Sequence, residues 1–263
     1  REAMPRERRR AVGASLAEPV LVLDKLGKDF GAQPALAELS CSVHPNEVVG
    51  LLGPNGAGKT TTMKLVLGLL KPSRGWATFS SGHGARLDCT RDARAVKERL
   101  GYSPDEPAFY DFLTGRETID FVLNVRNTPA AIRDRLPALV DALEIEGALD
   151  APTASYSLGT KKKLALLLAL SHEPPLLLLD EPTNGLDPPT AARVRGLLRE
   201  RANAGAAVVV STHLLEMADI LCDRVLVLHR GRLVAEGSPA AVRAQAGVAD
   251  GASLESAFLE LVK

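Results

Sequence analysis

Apolar residues first gather in short runs. Val20–Asp24 and Leu39–Val43 are β-prone and are broken by Gly31, Pro34 and Pro45, and Val48–Leu52 is a continuous apolar strand that stops at Gly53. From Lys59 the spacing changes, because Met63, Leu65, Val66, Leu69 and Leu70 recur at helical intervals until Lys71-Pro72-Ser73-Arg74-Gly75 closes the pattern with turn residues. A strand therefore feeds a helix through a glycine-rich loop. Residues from about Tyr102 to Ala154 read as mostly helical, with one helix starting near Leu113-Thr114-Gly115-Arg116-Glu117 and presenting Ile119, Phe121, Val122 and Val125 as its apolar face. Leu176–Leu179, Ala206–Val210 and Arg224–Leu228 then read as buried strands, the first two each preceded by a helical pattern, as in the βαβ units of a parallel sheet. Arg232–Glu236 adds an edge strand before short C-terminal helices that include Leu254–Val262. The pattern predicts an α/β fold: a parallel-sheet core, an antiparallel β edge and an inserted helical segment.

Composition narrows the class further. With 263 residues, 46% hydrophobic and 24% charged, the chain is long and apolar enough for one large domain, which excludes a disordered polymer. Lys plus Arg and Asp plus Glu are both 32, so no net field draws the whole protein to nucleic acid or anionic lipid, and no nucleic-acid partner is expected. Cys41, Cys89 and Cys222 are odd in number and far apart, which fits a reducing cytosol rather than a disulfide framework or metal knuckle. No apolar run approaches the ~18 residues that cross a bilayer. Arg1 to Arg10 is arginine-rich without a hydrophobic signal core, so residues 1–17 are expected to be a disordered tail. Residues 18–238 are expected to form one domain with a helical subdomain at about 104–160, and residues 239–263 short helices.

Gly53-Pro54-Asn55-Gly56-Ala57-Gly58-Lys59-Thr60 fits G-x-x-x-x-G-K-[ST] between a strand and a helix. Its glycines let successive backbone N–H groups point inward at an anion, and Lys59 brings a point charge to β/γ-phosphates. Thr60 offers a hydroxyl to Mg²⁺, with Thr61 beside it, and the helix starting there aims its positive end at the phosphates. Kinases, GTPases, motors and transport ATPases all share this loop. The absence of an Asn-Lys-x-Asp run weakens the guanine option.

Leu176–Leu179 runs into Asp180-Glu181 at the C-terminal end of a buried strand, where open α/β sheets bind ligands. Asp180 is placed for the Mg²⁺ shell and Glu181 for orienting or deprotonating an attacking water. The plain alternative is an acidic strand end that caps the next helix. A second strand ends in Ser211-Thr212-His213, which makes His213 a candidate γ-phosphate contact or, more simply, a surface group.

Together these motifs resemble the nucleotide-binding subunits of ATP-binding cassette (ABC) transporters from Val20 to about Gly237, particularly ATPases of bacterial ABC-2-type exporters. The resemblance implies a P-loop NTPase core, ATP and Mg²⁺ as ligands, and ATP hydrolysis with Glu181 as base and His213 as switch histidine. Asp180-Glu181-Pro182-Thr183-Asn184-Gly185-Leu186-Asp187-Pro188 looks like the family's Walker B segment and D-loop. Phe30 matches its adenine-stacking aromatic, against the alternative of an ordinary core Phe. The usual Leu-Ser-Gly-Gly-Gln signature reads Ser157-Leu158-Gly159-Thr160-Lys161 here, implying that Ser157 and Gly159 complete the ATP pocket of an opposing subunit. Lys161, Lys162 and Lys163 oppose the helix dipole unless an anion docks there, or they form a solvated basic turn. A family Pro-Gln step is Pro104-Asp105, so Asp105 would touch Mg²⁺ or its water while adding negative charge. Tyr102, Phe109, Tyr110, Phe112 and Phe121 cluster nearby, either as core of the helical insertion or as a groove for a permease helix. The resemblance implies a protein that is peripheral at the cytoplasmic face of the membrane, drives a separate integral-membrane permease as part of an exporter, and closes as a homodimer or with a paralogous ATPase. A soluble ABC ATPase acting on ribosomes or nucleic acid is the rival class.

Overall fold

The computed structural model describes residues 18–82, 86–249 and 251–263; the expected tail at 1–17 lies outside them. The chain opens with β1 (Leu21–Phe30), β2 (Gln33–Val43) and β3 (Val48–Leu52), followed by α1 (Lys59–Val66), β4 (Arg74–Phe79) and β5 (Leu87–Asp88). Next come α2 (Ala93–Arg99), β6 (Leu100–Ser103), α3 (Gly115–Val125), α4 (Ala130–Arg133) and α5 (Leu136–Leu143). The remainder alternates: α6 (Leu158–Leu170), β7 (Leu176–Asp180), α7 (Pro188–Asn203), β8 (Ala207–Thr212), α8 (Leu215–Leu221), β9 (Arg224–His229), β10 (Arg232–Gly237), α9 (Pro239–Gln245) and α10 (Leu254–Leu261).

Two sheets form. The central one runs β10-β9-β3-β8-β7-β6, with β9, β3, β8, β7 and β6 mutually parallel and β10 antiparallel at the edge. The smaller sheet, β2-β1-β4-β5, is antiparallel. Every residue of β3 and β7 is buried because both faces of the central sheet are covered. Side-chain alternation then divides the core in two. Val48, Leu52, Leu177, Leu179, Val208 and Val210 face a layer built from α3, α5, α6, α7, α8 and the C-terminal helices. Val49, Leu51, Leu176, Leu178, Ala207 and Val209 face α1 and the small sheet. The phosphate loop is thus pinned at the top of a strand gripped from both sides.

Four local readings change. Pro34 does not break the second strand, because it lies at its outer end and the hairpin pairs from Phe30↔Gln33 to Leu21↔Val43. Arg74-Gly75 is not only a turn but the start of β4: Gly75 adopts φ +65° where a Cβ would lie 2.2 Å from the Lys25 carbonyl oxygen, at a bulge in β1. The mostly helical stretch begins with a strand, β6, whose Gly101 packs against the Ala169 carbonyl. In α3 the buried positions are Gly115, Thr118, Ile119 and Leu123, while Phe121 and Val125 point to solvent. The helix starts as its sequence suggests, with Thr114 and Glu117 forming a reciprocal capping box.

Candidate functional site

The C-terminal ends of β3, β7 and β8 lie side by side, and the phosphate loop, the acidic pair and His213 follow them. At Gly53 the chain leaves β3 with φ +149°; a Cβ would sit 2.3 Å from the Leu228 carbonyl oxygen, so only glycine lets the loop pass β9. Pro54, Asn55 and Gly56 are exposed at the tip, while Ala57, Gly58 and Lys59 are buried at its base. The loop is closed by Ala57 N–H donating to the Pro54 carbonyl and braced by Gly231 N–H donating to the Ala57 carbonyl, both at 3.1 Å.

Lys59 opens α1 from inside this loop. Its Nζ donates to the carbonyls of Gly53 (2.6 Å) and Pro54 (3.3 Å) and stands 4.0 Å from Glu181 Oε1. Burial lowers its affinity for the proton, and the negative charges of Glu181, Asp180 and Asp105 oppose that shift. Thr60 Oγ1 donates to Asp180 Oδ2 at 2.9 Å, and Ser211 Oγ donates to Asp180 Oδ1. Thr61 is half buried in the same turn of α1.

Glu181 follows with φ +47°, the left-handed region that a residue bearing a side chain enters only when its surroundings impose it. Its N–H continues the pairing with β8 by donating to the Ser211 carbonyl at 2.9 Å. Its carboxylate accepts from Thr212 Oγ1 (3.0 Å) and His213 N–H (2.9 Å), and Oε1 lies 2.8 Å from His213 Nδ1. Lys59, Thr60, Asp180, Glu181 and His213 therefore form one connected network. Ser211 and Thr212 belong to it too. Sequence motifs mark only His213 in that run, although the parallel pairing Asp180↔Ser211 is what any neighbouring strand end would bring. Tyr102 borders the network from β6; burial and then Asp180 and Asp105 push its hydroxyl up to about 12.

Asp105 and Lys162 correct the reading of their segments. Lys162 is not part of a solvated turn but 2% exposed, and its Nζ donates to Asp105 Oδ1 at 2.7 Å and to the Glu181 carbonyl at 3.1 Å. The carboxylate expected at the metal is thus held by an ammonium. Ser157 caps α6, its Oγ accepting from Thr160 N–H at 3.2 Å, and Gly159 packs beside the Gly185 carbonyl. Among the described residues no hydrogen bond joins this signature segment to the phosphate loop of the same chain. Phe30 is not a core residue: it is 52% exposed at the hairpin tip, with Lys28 Nζ 5.4 Å from its ring centre. The same hairpin reaches the loop, since the Ala35 carbonyl oxygen would lie 2.8 Å from a Cβ on Gly58. The aromatic cluster divides: Tyr102 and Phe109 pack against the cores, whereas Tyr110, Phe112 and Phe121 are exposed, their rings 5.8–5.9 Å apart around Tyr110.

No cluster of three or more His, Cys, Asp or Glu among the described residues is placed to hold a metal. One carboxylate and one hydroxyl converging beside a phosphate loop nevertheless suit Mg²⁺, which binds through one or two protein oxygens together with substrate phosphates. No helix among the described residues is long and apolar enough to cross a membrane.

A buried strand, a glycine loop cradling a lysine and an acidic strand end beside it define a P-loop nucleoside triphosphatase. The profile of the ABC transporter family matches residues 36–184. The chain is 39% identical over 224 residues to YdbJ, an uncharacterized ABC transporter ATP-binding protein of Bacillus subtilis, spanning 85% of this chain and 70% of that one. It is 36% identical over 237 residues to the Nod factor export ATP-binding protein I of Sinorhizobium fredii, spanning 88% of this chain and 66% of that protein. A solved ATP-binding subunit of an ABC transporter superposes with a TM-score of 0.85 at 33% identity, covering 93% of this chain and 100% of its own. The chain belongs to the ABC transporter family and is an ATP-binding, ATP-hydrolysing subunit of such a transporter.

Proposed function

We propose that the chain powers an exporter whose pathway is a separate permease, and that two such chains, or this one and a paralogue, close around Mg-ATP at the cytoplasmic face of the membrane. The reading rests on the convergence of Lys59, Thr60, Asp180, Glu181 and His213 at one sheet edge, through hydrogen bonds and the 4.0 Å ion pair of Lys59 with Glu181. Lys59 and the backbone N–H groups of Asn55–Thr60 hold the β/γ-phosphates, and the exposed ring of Phe30 stacks on adenine. Thr60 and Asp180 would hold Mg²⁺, which would supply positive charge to offset that of the phosphates. Glu181 accepts the proton of the attacking water, and His213, hydrogen-bonded to the same carboxylate, ties the base to the γ-phosphate. Ser157 and Gly159 present the N-terminus of α6 to nucleotide on the opposing subunit, so ATP stabilises the closed pair and hydrolysis reopens it. Export is the direction carried by the name of the Sinorhizobium relative. The exposed Tyr110, Phe112 and Phe121 form the face for a permease helix.

The test is Glu181→Gln in the full chain. Mg-ATP binding should persist, single-turnover hydrolysis should fall by at least about 100-fold, and ATP should now trap a stable dimer in gel filtration. Hydrolysis within about three-fold of the unsubstituted protein would refute the assignment of Glu181 as base.

A further inference from the structure

The left-handed backbone at Glu181 needs something to hold it, because that conformation is unfavourable for any residue with a Cβ. Its N–H is fixed by β8, through the Ser211 carbonyl. Its carbonyl accepts from Asn184 N–H at 3.2 Å and from the Lys162 ammonium at 3.1 Å. Lys162 comes from α6, one turn after the Ser157 cap, and is among the largest fully buried side chains of the molecule. An ammonium so placed requires a counter-charge. Asp105 provides it at 2.7 Å, from the segment that leaves β6 toward α3. One ammonium therefore joins the strand end bearing the acidic pair, the helix headed by the signature segment, and the entry to the helical segment.

We infer that Lys162 is a positioning residue for hydrolysis: with Asp105 it holds the Glu181 carbonyl, and so keeps the Glu181 carboxylate aimed at the phosphate loop. Displacement of the α6 or β6–α3 segment slackens that hold and slows turnover without releasing nucleotide. This rests on Glu181 being the base.

The experiment uses the full chain with Mg-ATP and reads kcat, KM and nucleotide affinity for Lys162→Met, Asp105→Asn and each of these in the Glu181→Gln background. Lys162→Met should lower kcat by about 30-fold, equivalent to about 2 kcal/mol, with KM and Kd changed by less than about three-fold. Asp105→Asn should produce a smaller loss of the same kind, since Lys162 keeps its bond to the carbonyl. In the Glu181→Gln background neither substitution should lower the residual rate further, because a residue acting through Glu181 has nothing left to position. Should Lys162→Met fail to fold, Asp105→Asn at its half-exposed site reads the same link. Normal kcat in a folded Lys162→Met or Asp105→Asn protein, losses confined to KM, or equal losses with and without Glu181 would overturn the inference. If Glu181→Gln alone retained turnover, the assignment of the base would fail instead, whatever Lys162 did.

Discussion

Two glycines of the phosphate loop share a backbone type but not a neighbourhood, and their alanine variants separate strain from collision. Gly56 adopts φ +80° with no atom within 4 Å of where a methyl would project, so Gly56→Ala meets only the left-handed penalty of about 1–2 kcal/mol. Reduced freedom of the unfolded chain offsets roughly 0.4–1 kcal/mol of that, leaving about 1 kcal/mol. Gly53 adopts φ +149°, and its methyl would lie 2.3 Å from the Leu228 carbonyl oxygen and 2.9 Å from Ala57 Cβ. Neither neighbour can yield cheaply, because Leu228 is paired in β9 with Leu233 and Ala57 is 1% exposed. Overpacking of this kind adds about 1–3 kcal/mol, so Gly53→Ala should lose about 3 kcal/mol. Urea unfolding without nucleotide keeps affinity out of the measurement. With a slope of about 3 kcal/mol/M, the Gly53→Ala midpoint should fall roughly 0.7 M below that of Gly56→Ala. Equal midpoints, or the reverse order, would show that the Leu228 contact does not set the loop's shape.

Two further outcomes follow from the surface and from one half-buried ring. Phe112→Asp and Phe121→Asp, both at exposed positions, should abolish recovery of a multi-span membrane protein with the tagged chain while Mg-ATP affinity stays within about two-fold; retained recovery would move the permease contact elsewhere. His172 is lowered from 6.5 to about 4 by burial first and then by Arg126, so the folded chain binds fewer protons than the unfolded one between those values. Stability should therefore decline as pH falls from 6.5 toward about 4, by at most about 3 kcal/mol from this group. Urea midpoints at pH 7.5 and 5 should show a smaller difference in His172→Gln, and an unchanged difference would dismiss the ring as its source.

What the sequence discloses and what it hides have separate physical causes. β3, β7 and β8 are readable because burial on both faces makes a strand apolar at every position. β6 is not, because four residues containing a glycine packed on the Ala169 carbonyl carry no period. The buried face of α3 is not legible because Phe121 and Val125 are as apolar as Ile119 and Leu123, and only tertiary context sends them outward. Lys59, Thr60, Asp180 and Glu181 stand out because their task fixes residue type at short spacing. Lys162 does not, since three consecutive lysines at a helix start read as an anion site or a solvated turn, and its partner lies 57 residues away.

The same contrast explains how adjacent carboxylates take separate places. In a regular strand Asp180 and Glu181 would project to opposite faces, so at most one would meet the loop. Asp180 remains in register with Ser211 and receives the hydroxyls of Thr60 and Ser211. At Glu181 the backbone turns into the left-handed region, and its carboxylate comes round to within 4.0 Å of Lys59 and into hydrogen bonds with Thr212 and His213. A single kinked residue thus converts the two-residue period of a strand into two carboxylates on one site. The conformational cost of that kink sits where outside segments can grip it, so Lys162 fastens the backbone carbonyl of Glu181 while leaving its carboxylate to His213 and Thr212.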